Sequence, residues 1–404
     1  MKKLSFLIPL FFIAMLLQAQ DQKQNVASFD MGNGINFSFN NGDYHFKIGG
    51  FIQPSYKYEK TEGMDAQNEF NSKRSYFSIS GEALKEKISF LIQTDYSLNS
   101  PLLDAWIAYH PFSFVSISVG QKQTFLNNRE MMFNESMLQF TERSSLSTSF
   151  SQTGREFGAF VEFKFREKIG ISPKFAITSG DGRNSFGADS RDVDLGGIKY
   201  GGRLDVFPLG YFSKGNDLTS ADIIHEKSPK IAAGIAFSRN NGASNSTGEG
   251  HGDFFLYNSS GNIALPDYAQ VYADFLLKYH GFSLLAEFAD ASAKDLKGAF
   301  IEPTGNTLLA PQQISEYLVL GEGYNVQLGY VTKKGLSFDA RFDHTTPEFQ
   351  ANQSSLLSEL DSFTLGISKY FFRNNLKIQS SVSKLDYSKG NSQTTGELLV
   401  QIVF

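Results

Sequence analysis

An all-β chain closed into a transmembrane antiparallel β-barrel, most simply of sixteen strands, is predicted by three observations on these 404 residues. Apolar side chains recur at every second position in block after block. An export signal opens the chain and no comparable apolar run follows it. The connections between blocks alternate short and long. Composition agrees by exclusion. Charged residues at 20% and aromatic residues at 14% rule out a disordered chain, and scattered polar residues rule out a bundle of membrane helices. With no cysteine there is no disulfide, zinc-thiolate or thiol chemistry, and a net charge of −5 excludes nucleic acid as a partner.

The elements follow in chain order. Lys2 and Lys3 precede an apolar run from Leu4 to Leu17, then Gln18-Ala19-Gln20, so residues 1–19 read as a signal peptide cleaved after Ala19. The run is short of the ~20 residues a spanning helix needs. Residues 20–43 are polar and rich in Gly and Asn, and are expected as a flexible periplasmic lead-in to a barrel over 44–404. Sixteen alternating blocks begin near 44–59 and end at 394–404. In them Ile88, Phe90 and Ile92 oppose Ser89, Gln93 and Asp95, and Leu336, Phe338 and Ala340 oppose Ser337, Asp339 and Arg341. Blocks of about 9–14 residues suit a tilted bilayer crossing. Tyr and Phe gather at their ends, and the chain closes on Phe404 in an alternating strand. Short connections at 82–85, 111–113, 167–169, 334 and 372–374 share one end, and long ones share the other. The segment 208–228 is long where a turn is expected.

If the apolar face meets lipid, the opposite face lines a wet lumen, because solvent carries charges that a packed core could hold only in pairs. The longest structured loop, 123–152, is the third external one. Met132, Phe133, Met137, Leu138 and Phe140 lie at helical spacing, which predicts a short helix folded back onto the inner wall. Arg129, Arg143 and Arg155 are then candidates for a cationic constriction, with Lys122, Arg74, Arg203 and Arg341 extending an anion path along the wall. Glu130, Glu142 and Glu156 stand beside three of these arginines, and the competing expectation is a belt of structural ion pairs.

Ala105-Trp106-Ile107-Ala108-Tyr109 with Val119-Gly120-Gln121-Lys122, then Phe140-Thr141-Glu142-Arg143-Ser144 and Gly154-Arg155-Glu156-Phe157-Gly158, resemble the phosphate-selective porin O and P family. Pro208-Leu209-Gly210, Lys214-Gly215-Asn216-Asp217 and Lys227-Ser228-Pro229-Lys230 extend the resemblance over most of the exported chain. It implies a trimeric porin in the outer membrane of a Gram-negative bacterium. Such a porin passes small anionic or neutral hydrophilic solutes by passive diffusion, with phosphate or polyphosphate as candidate preferred anions. The alternative expectation is a non-conducting barrel whose external loops at 240–266 and 291–322 serve adhesion or ligand binding.

No catalytic constellation, cofactor or metal is expected. The six His have no metal spacing, Asp181, Asp189, Asp192 and Asp194 read as a solvated acidic loop rather than a Ca²⁺ site, and the Gly-rich stretch 241–252 reads as a flexible surface loop.

Overall fold

A computed structural model describes residues 25–166, 168–180, 182–183, 197–250, 252–294 and 298–404. The expected signal peptide, residues 1–19, and nearly all of the acidic loop 181–194 lie outside these residues. Sixteen antiparallel strands form the wall: β1 Tyr44–Thr61, β2 Gln67–Ala83, β3 Ile88–Asp95, β4 Leu102–Phe112, β5 Val115–Gln123, β6 Arg155–Phe163 (continued by Phe165–Arg166), β7 Gly170–Thr178 and β8 Lys199–Phe207. There follow β9 Lys230–Asn240, β10 Asp267–Tyr279, β11 Phe282–Lys294, β12 Gly321–Val331, β13 Leu336–Pro347, β14 Leu360–Tyr370, β15 Leu376–Tyr387 and β16 Gln393–Val403. Each pairs with the next, and β16 returns to β1 from Gln393 opposite Thr61 to Val403 opposite Phe51, which closes the barrel without a free edge.

The alternation works as the sequence predicts. In β12 the outward Tyr324, Val326, Leu328 and Tyr330 are exposed, while the inward Asn325 and Gln327 are buried. Ile107, Phe175 and Ile177 are likewise 56–59% exposed on the outer surface. A soluble sheet would hide these side chains, so an apolar exterior of this extent is the surface of a protein solvated by lipid. No helix among the described residues is long and apolar enough to cross a membrane.

Three expectations are corrected. Residues 26–39 are not a loose lead-in: Val26–Asp30 and Gly34–Phe39 form a hairpin whose second strand pairs with β1 from Ile35 opposite Ile48 to Phe39 opposite Tyr44. Alternating Phe37 and Phe39 beside polar Asn36 and Ser38 give it strand character. The third loop is not helical at Met132–Phe140. Single 3₁₀ turns occupy Glu130–Met132 and Glu135–Met137, and the helix, α1, comes later at Ser145–Phe150, where the Ser144 side chain accepts a hydrogen bond from Ser147 N. The stretch 241–252 is packed rather than free over its described residues: Ala243, Ser244, Asn245, Thr247 and Glu249 are all buried.

Much of the lumen is filled. Above α1, the loops after β9, β11 and β13 form a cap around Leu146, Phe150, Leu256, Leu309, Ile314, Leu318 and Leu357. From the end of the barrel that carries the short turns, residues 208–229 fold inward, where Asn216, Thr219, Ser220, Ala221 and Asp222 are almost fully buried.

Candidate functional site

The third loop crosses the lumen between these two fillings. Inward glycines let it approach the wall: a Cβ on Gly329 would overlap the Gln139 amide, and one on Gly366 would lie 3.0 Å from the Phe140 ring. Gln139 donates to Asp339 Oδ1 at 2.5 Å and accepts from Gln327 Nε2 at 2.7 Å, and Lys377 Nζ donates to Leu138 O at 2.9 Å. The apolar loop side chains scatter to different walls. Phe133 and Leu138 join Phe207, Phe212 and Leu276; Met132 packs with Phe125 and Phe160; Phe140 lies 4.6 Å beneath the Arg341 guanidinium. One helix face could not reach all three.

The seven predicted cations fall into three clusters and one pair. Arg129 donates to Asp274 at 2.6 Å and Asp205 at 2.7 Å, and Arg203 holds the same two carboxylates from the wall. Arg143 and Arg155 share Glu135 Oε1 at 2.9 and 3.1 Å, with Asp104 3.4 Å from Arg155 on its other side. Arg143 also donates to the carbonyls of Glu130 and Phe133. Arg74 donates to Glu142 Oε1 at 3.0 Å, while Arg341 donates to the carbonyls of Glu142 and Arg143 at 3.0 and 3.1 Å and lies 3.5 Å from Glu130. Lys122 donates to Glu162 Oε1 at 2.7 Å. Each cation therefore faces at least one carboxylate. The acids differ from those adjacent in sequence: Glu130 turns away from Arg129 and accepts from Ser144 and Ser147, and Glu156 pairs with Lys199.

Charge pairing sets the acidity of the loop carboxyls. Burial alone would raise Glu135, but Arg155 and Arg143 outweigh it and hold the group well below the usual carboxylate range. For Glu142, burial is again opposed, here by Arg74 and Lys73, and the carboxyl drops to about 2 although half its side chain still meets solvent in the lumen mouth. A carboxyl lowered from 4.5 to about 2 contributes its full anchoring above pH 4.5 and loses it as pH falls through 2. Amide protection in residues 139–144, taken relative to the intrinsic exchange rate at each pH, is therefore expected to stay flat from pH 7 to 5 and to fall steeply only towards pH 2. Loss of protection near pH 5 would contradict the Arg74–Glu142 anchor.

Below the loop lies a chamber of about 550 Å³, bounded by Gln93, Trp106, Lys122 and Glu162 of the wall, Phe133 and Met137 of the loop, and Leu218 of the inward segment. Trp106 and Leu91 also border a second space of about 710 Å³ under the N-terminal hairpin. Above the loop an outer vestibule of about 400 Å³ is lined by Lys57, Lys73, Glu142, Arg143, Arg341 and Glu397. Of the predicted cations, Lys122 faces the chamber and Arg143 and Arg341 face the vestibule. Sequence reading misses the inward segment 208–229, whose only signal is a long connection where a turn belongs. It also misses Glu249, which accepts from the backbone N–H groups of Gln152 and Thr153 at 3.0 and 2.7 Å and ties the loop's end to the external cap; nothing local marks that residue.

No family model and no curated protein matches this chain. Among solved structures it is similar to the outer-membrane-expressed OmpT of Vibrio cholerae, at 10% identity over 90% of this chain and 98% of that one, with a TM-score of 0.53. The trimer form of in-vitro folded OmpT of the same organism matches at 9% identity over 89% and 99%, with a TM-score of 0.51. The outer-membrane channel DcaP of Acinetobacter baumannii matches at 10% identity over 89% and 97%, with a TM-score of 0.52. At these identities the likeness is one of architecture: the chain has the closed sixteen-stranded antiparallel fold of outer-membrane barrels, with its third loop drawn into the lumen.

Proposed function

We propose that this protein is an outer-membrane porin, exported on its N-terminal signal and passing small hydrophilic solutes by passive diffusion around the infolded third loop. The observation that carries the reading is the division of the wall into an apolar outer face and a polar inner one that borders chambers on both sides of that loop. The neighbour DcaP is itself an outer-membrane channel, and the trimeric form of another neighbour supports a homotrimer here. The resemblance to phosphate-selective porins raises an anion preference conferred by Arg129, Arg143, Arg155, Lys122, Arg74, Arg203 and Arg341. Their pairing favours a weaker form of it, because a guanidinium already bonded to carboxylates offers little field to a passing ion.

Planar bilayers test this. A small ohmic conductance is expected, with a reversal potential near zero in a salt gradient. Lys122→Glu, which places a second acid beside Glu162 in the chamber, is expected to shift the reversal towards cations. A silent bilayer would overturn the channel in favour of a surface-binding barrel, and a strongly anion-selective reversal would overturn the charge-balanced passage.

A further inference from the structure

The single tryptophan of the chain stands where a lipid-facing barrel has no use for it. Trp and Tyr usually gather on the outer surface at the bilayer interface. In β4 it is Ile107 and Tyr109 that face out, at 56% and 51% exposure, so Trp106 faces the lumen. Its indole is partly open and borders both the chamber under the third loop and the space under the N-terminal hairpin. A solute moving between these two spaces passes the ring.

The surroundings define the chemistry of that solute. Part of the chamber's lining is apolar, built by Phe125, Met132, Phe133 and Met137 of the loop with Leu218. The rest of it offers amides and hydroxyls at Gln93, Asn134 and Ser136, the Lys122–Glu162 pair at 2.7 Å, and the carboxylates of Asp217 and of Asp104, which Arg155 holds. Lys174, the second cation there, is held by Asp205 at 3.1 Å. Neither ammonium is left to recruit an anion, and Lys122 Nζ lies over the Trp106 ring at 5.6 Å from its centre, a long cation–π contact that a stacking ring displaces. An apolar surface with a polar rim whose two ammoniums are both paired complements a molecule that is neutral, has C–H faces and carries hydroxyls around its edge. A pyranose has all three properties. The volume of about 550 Å³ falls in the range that encloses small organic ligands.

We infer that the chamber beneath the third loop is a saccharide site, in which a sugar ring stacks on Trp106 while the amides and the Lys122–Glu162 pair bond its hydroxyls. This rests on the channel reading and deepens it by naming a solute class. Stacking on an aromatic face contributes modestly, on the order of a tenfold change in affinity, which suits a solute that must also leave.

The sole tryptophan reports on the site directly. The full chain in detergent micelles is titrated with maltose and with sucrose while indole emission is followed, with inorganic phosphate and benzoate as the anionic probes. A saturable change with at least one sugar and none with either anion is expected. In bilayers the same sugar should block current in a concentration-dependent way. Trp106→Ala should weaken that block about tenfold, measured against the variant's own sugar-free current, and Trp106→Phe should retain it. Emission unmoved by both sugars, emission moved by phosphate or benzoate instead, or block unaffected by Trp106→Ala would each overturn the assignment. A conducting chain with unresponsive emission removes the sugar site alone, whereas a responsive chain that never conducts keeps the site and removes the channel.

Discussion

Arg129→Ala is expected to lower stability by about 3–5 kcal/mol and to raise single-channel conductance, because a buried charge network loses one of its three cations and Asp274 one of its two partners. Arg129 comes from the loop and Arg203 and Lys174 from the wall, and together they neutralise the buried Asp205 and Asp274. Removing Arg129 leaves Asp274 with Arg203 alone, while Asp205 keeps Arg203 and Lys174. The penalty of leaving the buried Asp274 with half its pairing, rather than the net value of the pairs, sets the magnitude. Because Arg129 is also the point where the loop meets β8 and β10, its loss frees the first half of the loop from the wall. Thermal unfolding in detergent and conductance in bilayers read the two effects separately. A variant as stable as the parent, with the same conductance, would show that the loop is held elsewhere. Removing the wall partner through Asp274→Ala should reproduce the conductance change, since the same tether is cut from the other side.

Lys278→Met is expected to release the inward segment 208–229 and cost about 3 kcal/mol, the scale of stranding several buried acceptors. The Lys278 ammonium is fully buried and donates to the carbonyls of Asn216, Thr219 and Ala221, with distances of 2.5, 2.6 and 2.9 Å. Met matches the length of Lys but has no donor, so three buried carbonyls lose their partner at once. The segment's contact with the loop should loosen too, because Thr219 Oγ1 donates to Met137 O and Ser220 Oγ to Gln139 Oε1. Hydrogen exchange of the amides at 216–222 is the direct measurement. Unchanged protection in a folded variant would rule out the lysine as the clamp.

How far the sequence carries depends on which interactions are local. Strand number, parity and the direction of the apolar face are legible because period two is written within each strand, as in Leu336, Phe338 and Ala340 against Ser337, Asp339 and Arg341. The pairing of Arg129 is not, since Asp205 and Asp274 lie 76 and 145 residues away and only barrel register brings them together. The position of the loop helix is obscured for a related reason. Spacing at Met132–Phe140 suggests a helix, yet those side chains answer to separate walls, whereas Ser144 capping Ser147 is a local signal that the apolar pattern outshines. The inward path of 208–229 rests on Lys278, a single residue on a distant strand, which sequence alone marks only as one lumen cation among many.

The hairpin over residues 26–39 bears on how the cylinder is finished. The β16 partner of β1 stops at Phe51, and the lower part of β1 would be left as a bare rung of N–H and C=O groups at the short-turn end of the barrel. Gly34–Phe39 takes up that rung, and Gly32 N donates to Val403 O at 3.0 Å, so the hairpin also reaches the last strand. The seam between first and last strands is thus sewn at its base by residues that precede them both. An intermediate in assembly whose leading stretch is still engaged elsewhere would present an open strand to its neighbours, and the hairpin is what withholds that invitation.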